Sequence, residues 1–402
     1  MDETKYWLWL NMVFGTGNHR IWEVMSFFRT AEKAYAALCD GSAMVSLNEV
    51  ENKNVHDVPL RNAEIFLENC ARHGISVICF KSPEYPERLK HIYNPPSVLY
   101  CKGNVSCLNT EPAVTSVGTR KASVYSIKAA KAICSELSAR GAVIVSGFAV
   151  GTDIACSLAA AEMGRPTICV MGCGVDVDYP KQNFAYRDTI LAAGGVFISE
   201  FPPATQPYSP NFPKRNRVLA ALGNATVVFQ AGIRSGALIT ANLAAGQGRE
   251  VLCLPPADIL CDDYSGNVKL LRDGAVPMYD ASDVILCIGG RKEQNSVHET
   301  MKTFAEKMSD HDDVVSDTTY EYTSTPADFE VSGNAEKPHE LPDELSSEQK
   351  RIAEALENGA LHADELAQLL EIDSSELMTE LTELEIFGVV RSLPGKMFEL
   401  LR

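Results

Sequence analysis

Three cations, Lys214, Arg215 and Arg217, crowd into the stretch NFPKRNRVLAAL (211–222), with Asn216 and Phe212 beside them. Cations at the head of an apolar helical run are placed to meet an anion, because a helix N-terminus adds free N–H groups and the positive end of its dipole. Other stretches offer the same chemistry. They are Gly118, Arg120 and Lys121 in SVGTRK, Ser146 and Gly147 in VSGFAVGTD, Lys181 and Phe184 in DYPKQNF, and Ser235 and Gly236 in GIRSGA. Small residues let a phosphate approach the main chain, Arg120 and Lys181 add full charge, and Phe184 and Phe212 offer π-faces to bases. Asp153 and Glu200 read as hydrogen-bond partners that orient the arginines. No GxGxxG follows the first strand, and no GxxxxGK[ST], HExxH or CxxC occurs. A dinucleotide site, a Walker ATPase and a metal centre are therefore disfavoured, and no cofactor is expected.

Positioning these residues is the task of a regular pattern that starts at 113. AVTSV (113–117), AVIVS (142–146), TICVM (167–171), VFIS (196–199), ATVVF (225–229) and EVLCL (250–254) are near-continuous apolar runs. Helical segments are expected between them at 124–140, 152–163, 183–193, 213–222 and 236–247. Strands apolar on both faces and separated by helices predict an α/β fold with a doubly wound, mostly parallel sheet. Each candidate residue then follows a strand, at the carboxyl edge where such sheets bind ligands.

The flanks differ. Residues 1–75 read as short helices, a small domain of helix-hairpin-helix or SAM-like kind with a packing or dimerising role. Residues 76–290 hold a proline-rich bridge and then the sheet. Residues 291–342 are polar and acidic and read as a disordered linker. Residues 343–402 read as three helices and a hairpin turned at Pro394-Gly395, a winged helix. The 402 residues carry a net charge of −17, and residues 291–402 hold 10 Lys and Arg against 26 Asp and Glu. The main body is nearly neutral, so a local basic cleft dominates its field. The would-be recognition helix of the winged module contains Glu376, Glu380, Glu383 and Glu385 and no Lys or Arg. That charge opposes docking in a DNA groove and favours binding to a protein or to the chain's own body. Leu377, Leu381 and Leu384 are expected in its core. No run of about 18 apolar residues and no basic n-region is present, so neither a membrane span nor a secretory leader is expected. The 12 cysteines read as reduced thiols of a cytoplasmic protein.

With these stretches in place, the chain resembles the DNA-processing protein A (DprA, or Smf) family. The resemblance rests on SVGTRKAS, VSGFAVGTDIA, VMGCGVDVDYPKQN, FISEFPP, the long run from NFPKRNR to VLCLP, SGNVKLLRDGA and, upstream, SPEYPERLKHIYNPPSVLYCKGN. It implies an extended Rossmann-like domain that binds single-stranded DNA and helps load the RecA recombinase onto it, as in natural transformation. It carries over Arg120, Lys181, Phe184, Phe212, Arg215, Asn216 and Arg217 as groove residues. The chain departs from the family pattern at Val150, Thr152, Cys156 and Pro256, which thins the positive charge of the second loop. A homodimer is compatible with the apolar helices. The alternative is a nucleotide-binding sensor or an enzyme similar to the lysine-decarboxylase-like phosphoribohydrolases. Their PGGxGTxxE glutamate is missing from 231–237, so a non-enzymatic reading leads.

Overall fold

The computed structural model describes residues 3–289, 346–356, 359–370, 372–386, 389–393 and 397–401. The expected linker and the turn at Pro394-Gly395 lie outside them. The chain forms two compact units, residues 1–288 and 289–402.

The first unit is built on a nine-stranded sheet. Its strands are β1 (Ser76–Cys79), β2 (Val98–Gly103), β3 (Ala113–Val117), β4 (Val143–Ser146), β5 (Thr167–Val170), β6 (Val196–Ser199), β7 (Ala225–Val228), β8 (Glu250–Cys253) and β9 (Val276–Pro277). They lie in the order β1-β2-β6-β5-β4-β3-β7-β8-β9. The run from β6 to β9 is parallel, and β1 and β2 extend it antiparallel. Chain order reverses between β3 and β7, which makes that pair the switch point.

Both faces are covered because alternate strand residues are apolar on each side. Val117, Val145, Val170, Ile198 and Val228 share one core with α9 (Asn211–Leu222) and α10 (Gly236–Gly246). Val114, Ile144, Val227 and Leu252 meet α6 (Val124–Ala139), α7 (Thr152–Glu162) and α12 (Ala281–Gly289) on the other. On that same face Tyr100, Cys169 and Phe197 pack against the N-terminal helices. Those are α1 (Thr4–Phe14), α2 (Arg20–Ser26), α3 (Ala31–Cys39), α4 (Glu49–Asp57) and α5 (Leu60–Arg72). Trp7, Trp9 and Leu10 of α1 are almost fully buried, so these helices share one core with the sheet.

Two elements depart from the sequence pattern. The single helix expected at 183–193 is a 3-10 turn (Lys181–Tyr186) followed by α8 (Arg187–Ala192). Asn183 fixes the tight turn by donating to the Phe148 carbonyl at 2.8 Å. Helix α4 has a polar sequence without an apolar stripe; a capping box between Asn48 and Glu51 sets its start. The remaining helix of this unit is α11 (Ser265–Arg272).

The second unit contains α13 (Ser347–Ala355), β10 (Leu361–His362), α14 (Ala363–Leu370), α15 (Ser374–Ile386), β11 (Val390–Leu393) and β12 (Met397–Leu400). Its sheet order is β10-β12-β11. Leu377, Leu381 and Leu384 are fully buried in its core, as their helical spacing predicts.

Candidate nucleic-acid interface

Five neighbouring strand ends carry the candidate residues. In spatial order they are β6, followed by Phe212 and Lys214; β5, followed by Lys181 and Phe184; β4, ending in Ser146 with Gly147 after it; β3, followed by Gly118, Arg120 and Lys121; and β7, followed by Ser235 and Gly236. Four strand spacings make this crown about 19 Å wide.

Helix phase divides the basic turn. Pro213 is tolerated in the first turn of α9, where its missing N–H has no intrahelical partner in any case. Lys214 faces solvent, but Arg215, Asn216 and Arg217 are buried. The Arg215 guanidinium donates from one nitrogen to the Gly147 carbonyl at 3.1 Å and to the Val170 carbonyl. These carbonyls lie at the ends of β4 and β5, where the ladder has run out, so Arg215 caps two strands at once. Its Nε donates to Asn216 Oδ1 at 3.3 Å. Arg217 donates to Glu200 at 2.6 Å in a buried ion pair. Gly17, between α1 and α2, closes over that pair: a Cβ there would lie 3.4 Å from the Glu200 carboxylate.

The loop after β4 is built around Asp153, whose carboxylate accepts the Gly147 N–H at 3.0 Å. Burial pushes the Asp153 carboxyl up to about 6, and Arg215, the Ala149 and Gly147 N–H groups and Arg120 oppose that rise. Burial also pulls Arg215 below its ordinary value; Asp153 opposes this, while the like charge of Arg120 adds to it. Arg120 is therefore electrostatically close to both. Gly147 has no room for a side chain, since a Cβ would stand 2.6 Å from Asp153 and 2.8 Å from Arg215. Gly118 is equally confined, since a Cβ there would stand 2.5 Å from Thr152. Ser146 is buried and bonded to Ser157 at 2.7 Å.

Arg120, Lys121, Lys181 and Lys214 are exposed. Among the described residues none of the four enters an ion pair. In the 3-10 turn, residues three apart eclipse, which puts Lys181 and Phe184 on one face. The Phe184 ring is 54% exposed. Phe212 is half-buried, 5.4 Å from the Tyr179 ring. Ser235 caps α10 by accepting the Ala237 N–H at 3.3 Å, and Gly236 beside it is open to solvent.

The structure thus keeps Arg120, Lys121, Lys181, Phe184, Lys214 and Gly236 on the surface of the crown, and draws Ser146, Arg215, Asn216 and Arg217 inside. Two further features carried no sequence signal. The loops at the switch point between β3 and β7 are bridged: Gln230 accepts the Thr119 N–H through its carbonyl and the Ser123 N–H through its side chain, both at 2.8 Å, and Ser123 meets the Tyr264 hydroxyl at 2.6 Å. This is where a doubly wound sheet takes a nucleotide. Tyr208, in the loop before α9, is 59% exposed.

Fold and crown together define an α/β protein of Rossmann-like topology with a cationic carboxyl edge. The chain belongs to a family described as DNA recombination-mediator protein A, whose model matches residues 76–289. A second model, described as DprA winged helix domain, matches residues 336–396. The chain is similar to DNA processing protein DprA of Bacillus subtilis, 37% identical over 52% of this chain and 70% of that protein. It is also similar to Protein Smf of Synechocystis, 28% identical over 99% of both chains. The X-ray structure of DNA processing protein A from Streptococcus pneumoniae superposes with a TM-score of 0.61 at 28% identity, covering 71% of this chain and 97% of that one.

Proposed function

We propose that the carboxyl crown binds single-stranded DNA and that the protein acts as a recombination mediator, holding the strand and helping load the RecA recombinase onto it during DNA uptake or processing. One observation carries this reading: exposed cations without an ion-pair partner among the described residues, with the exposed Phe184 ring among them, stand over neighbouring strand ends. Cations collect the phosphate chain whatever its sequence. A π-face on the surface takes a base that is not already stacked in a duplex, which favours the unpaired strand.

No bond-breaking chemistry is assigned to the crown. Glu200, the carboxylate that a phosphoribohydrolase-like reaction would need, is buried against Arg217. Asp153 is buried among backbone donors.

The test is affinity for a dT oligomer against a duplex of equal length across a salt series. Preference for the single strand is expected, with a salt slope that falls by about 0.7 for each phosphate no longer neutralised. Arg120→Ala and Lys181→Ala each leave one such phosphate. Equal affinity for the duplex, or unchanged slopes in both variants, would move the interface elsewhere. Mediator activity is read separately, as faster growth of RecA filaments on a single strand when the protein is added.

A further inference from the structure

Tyr208 has no part in the chemistry assigned so far. This residue stands in the loop after β6 and is more exposed than Phe184, at 59% against 54%. Among the described residues no hydrogen bond engages its hydroxyl. Its backbone is fixed all the same. The Tyr208 carbonyl accepts the Asn211 N–H at 3.0 Å and opens the turn into α9. One helical turn on, Phe212 leans on Tyr179, two residues before Lys181. The loops after β5 and β6 are further joined by Gly174 N–H to the Thr205 carbonyl at 2.9 Å, and by the Asp176 carboxylate, which accepts the Ala204 N–H at 2.8 Å. Tyr208 and Phe184 therefore ride on two loops braced against each other, and the exposed Lys181 and Lys214 belong to the same two connections.

We propose that Tyr208 is a second base-stacking surface, taking another nucleobase of the same unpaired strand whose phosphates meet Lys181 and Lys214. The inference rests on the single-strand reading of the crown. An exposed ring on a rigid loop loses little freedom on binding, and stacking on it tolerates any base. The neighbouring cations favour a polyanion as the occupant over an apolar peptide.

The experiment compares Tyr208→Ala and Tyr208→Phe on a dT oligomer and on an abasic oligomer of the same length. Tyr208→Ala is expected to weaken binding to the dT oligomer about tenfold with its salt slope unchanged, because the variant gives up a stacked base while every phosphate keeps its cation. On the abasic chain it changes nothing, and Tyr208→Phe restores binding to dT because stacking uses the ring alone. Unchanged affinity of Tyr208→Ala for dT overturns the assignment, as does an equal loss on the abasic chain or failure of Tyr208→Phe to restore it. Lys181→Ala is the control for the parent reading. If it lowers the slope while Tyr208→Ala is silent, the second stacking surface alone fails. If Lys181→Ala leaves the slope unchanged, the crown itself is not the interface.

Discussion

Arg215 shows how one residue can look like a ligand contact and act as a strut. One nitrogen of its guanidinium bridges two strand-end carbonyls, and the group interacts with Asp153 across the loop after β4. Arg215→Ala leaves Asp153 buried without its cation, and a loss of about 3–5 kcal/mol in urea unfolding is expected. Arg215→Lys recovers only part of that, because an ammonium on a different stem does not reproduce the carbonyl bonds together with the separate Nε bond to Asn216. Asp153 makes a second prediction at this scale. Its carboxyl, held at about 6, lies above the value of an unfolded aspartate. The folded state therefore holds the proton more tightly. The stability this brings is complete below about pH 4 and is lost as pH rises through about 6. Neutralising Asp153 also makes the crown more positive. Affinity for a dT oligomer should rise between about pH 7 and about pH 5, and Asp153→Asn should flatten that rise. An equally steep profile in the variant would assign the pH dependence to another group.

Among elements, α9 links the crown to the N-terminal helices. Arg217 reaches Glu200 beneath Gly17, and the Gln247 side chain donates to the Arg217 carbonyl at 3.2 Å. Glu200→Gln leaves a buried guanidinium without its counter-charge. A loss of about 3–5 kcal/mol is expected by denaturant unfolding, with the salt slope of DNA binding unchanged. A changed slope would show that Arg217 meets phosphate after all. In the C-terminal unit, α15 carries its own electrostatic burden. Burial first, and Glu383, Glu348 and Glu376 after it, push the Glu380 carboxyl up to about 7; Gln349, whose side chain donates to Glu383 at 2.8 Å, opposes the rise. One Glu380 oxygen is buried without a partner. The folded unit again binds the proton more tightly than the unfolded chain, so its stability should fall as pH rises from about 4.5 to about 7. Glu380→Gln should raise its melting temperature at neutral pH and remove most of that slope. A lower melting temperature would mean that the carboxylate has a partner worth more than its burial costs.

For the whole molecule the decisive asymmetry is charge. Residues 291–402 carry 26 acids against 10 bases, while residues 1–290 carry 27 against 26. By charge alone, an acidic segment on the same chain is expected to compete with DNA for a cationic edge. Deleting residues 291–402 should therefore tighten binding of a dT oligomer at low salt, with the gain vanishing as screening shortens the range of the interaction. Equal affinities at low salt would exclude such competition.

The chain order of the six strands β3 to β8, and the arrival of the candidates at one sheet edge, were legible because fully buried parallel strands need unbroken apolar runs. The same chain-local logic placed Leu377, Leu381 and Leu384 in a core. It did not separate Lys214 from Arg215 and Arg217, since all three are cations in one short turn. Which of them meets solvent depends on the rotation of α9 over β4 and β5 and on carbonyls 45 and 68 residues away in sequence. Tyr208 was silent for the same reason: an aromatic in a loop is core or surface according to what packs over it. Residue type and spacing settled what the edge is made of, and through-space contacts between distant segments settled which of its charges and rings remain free.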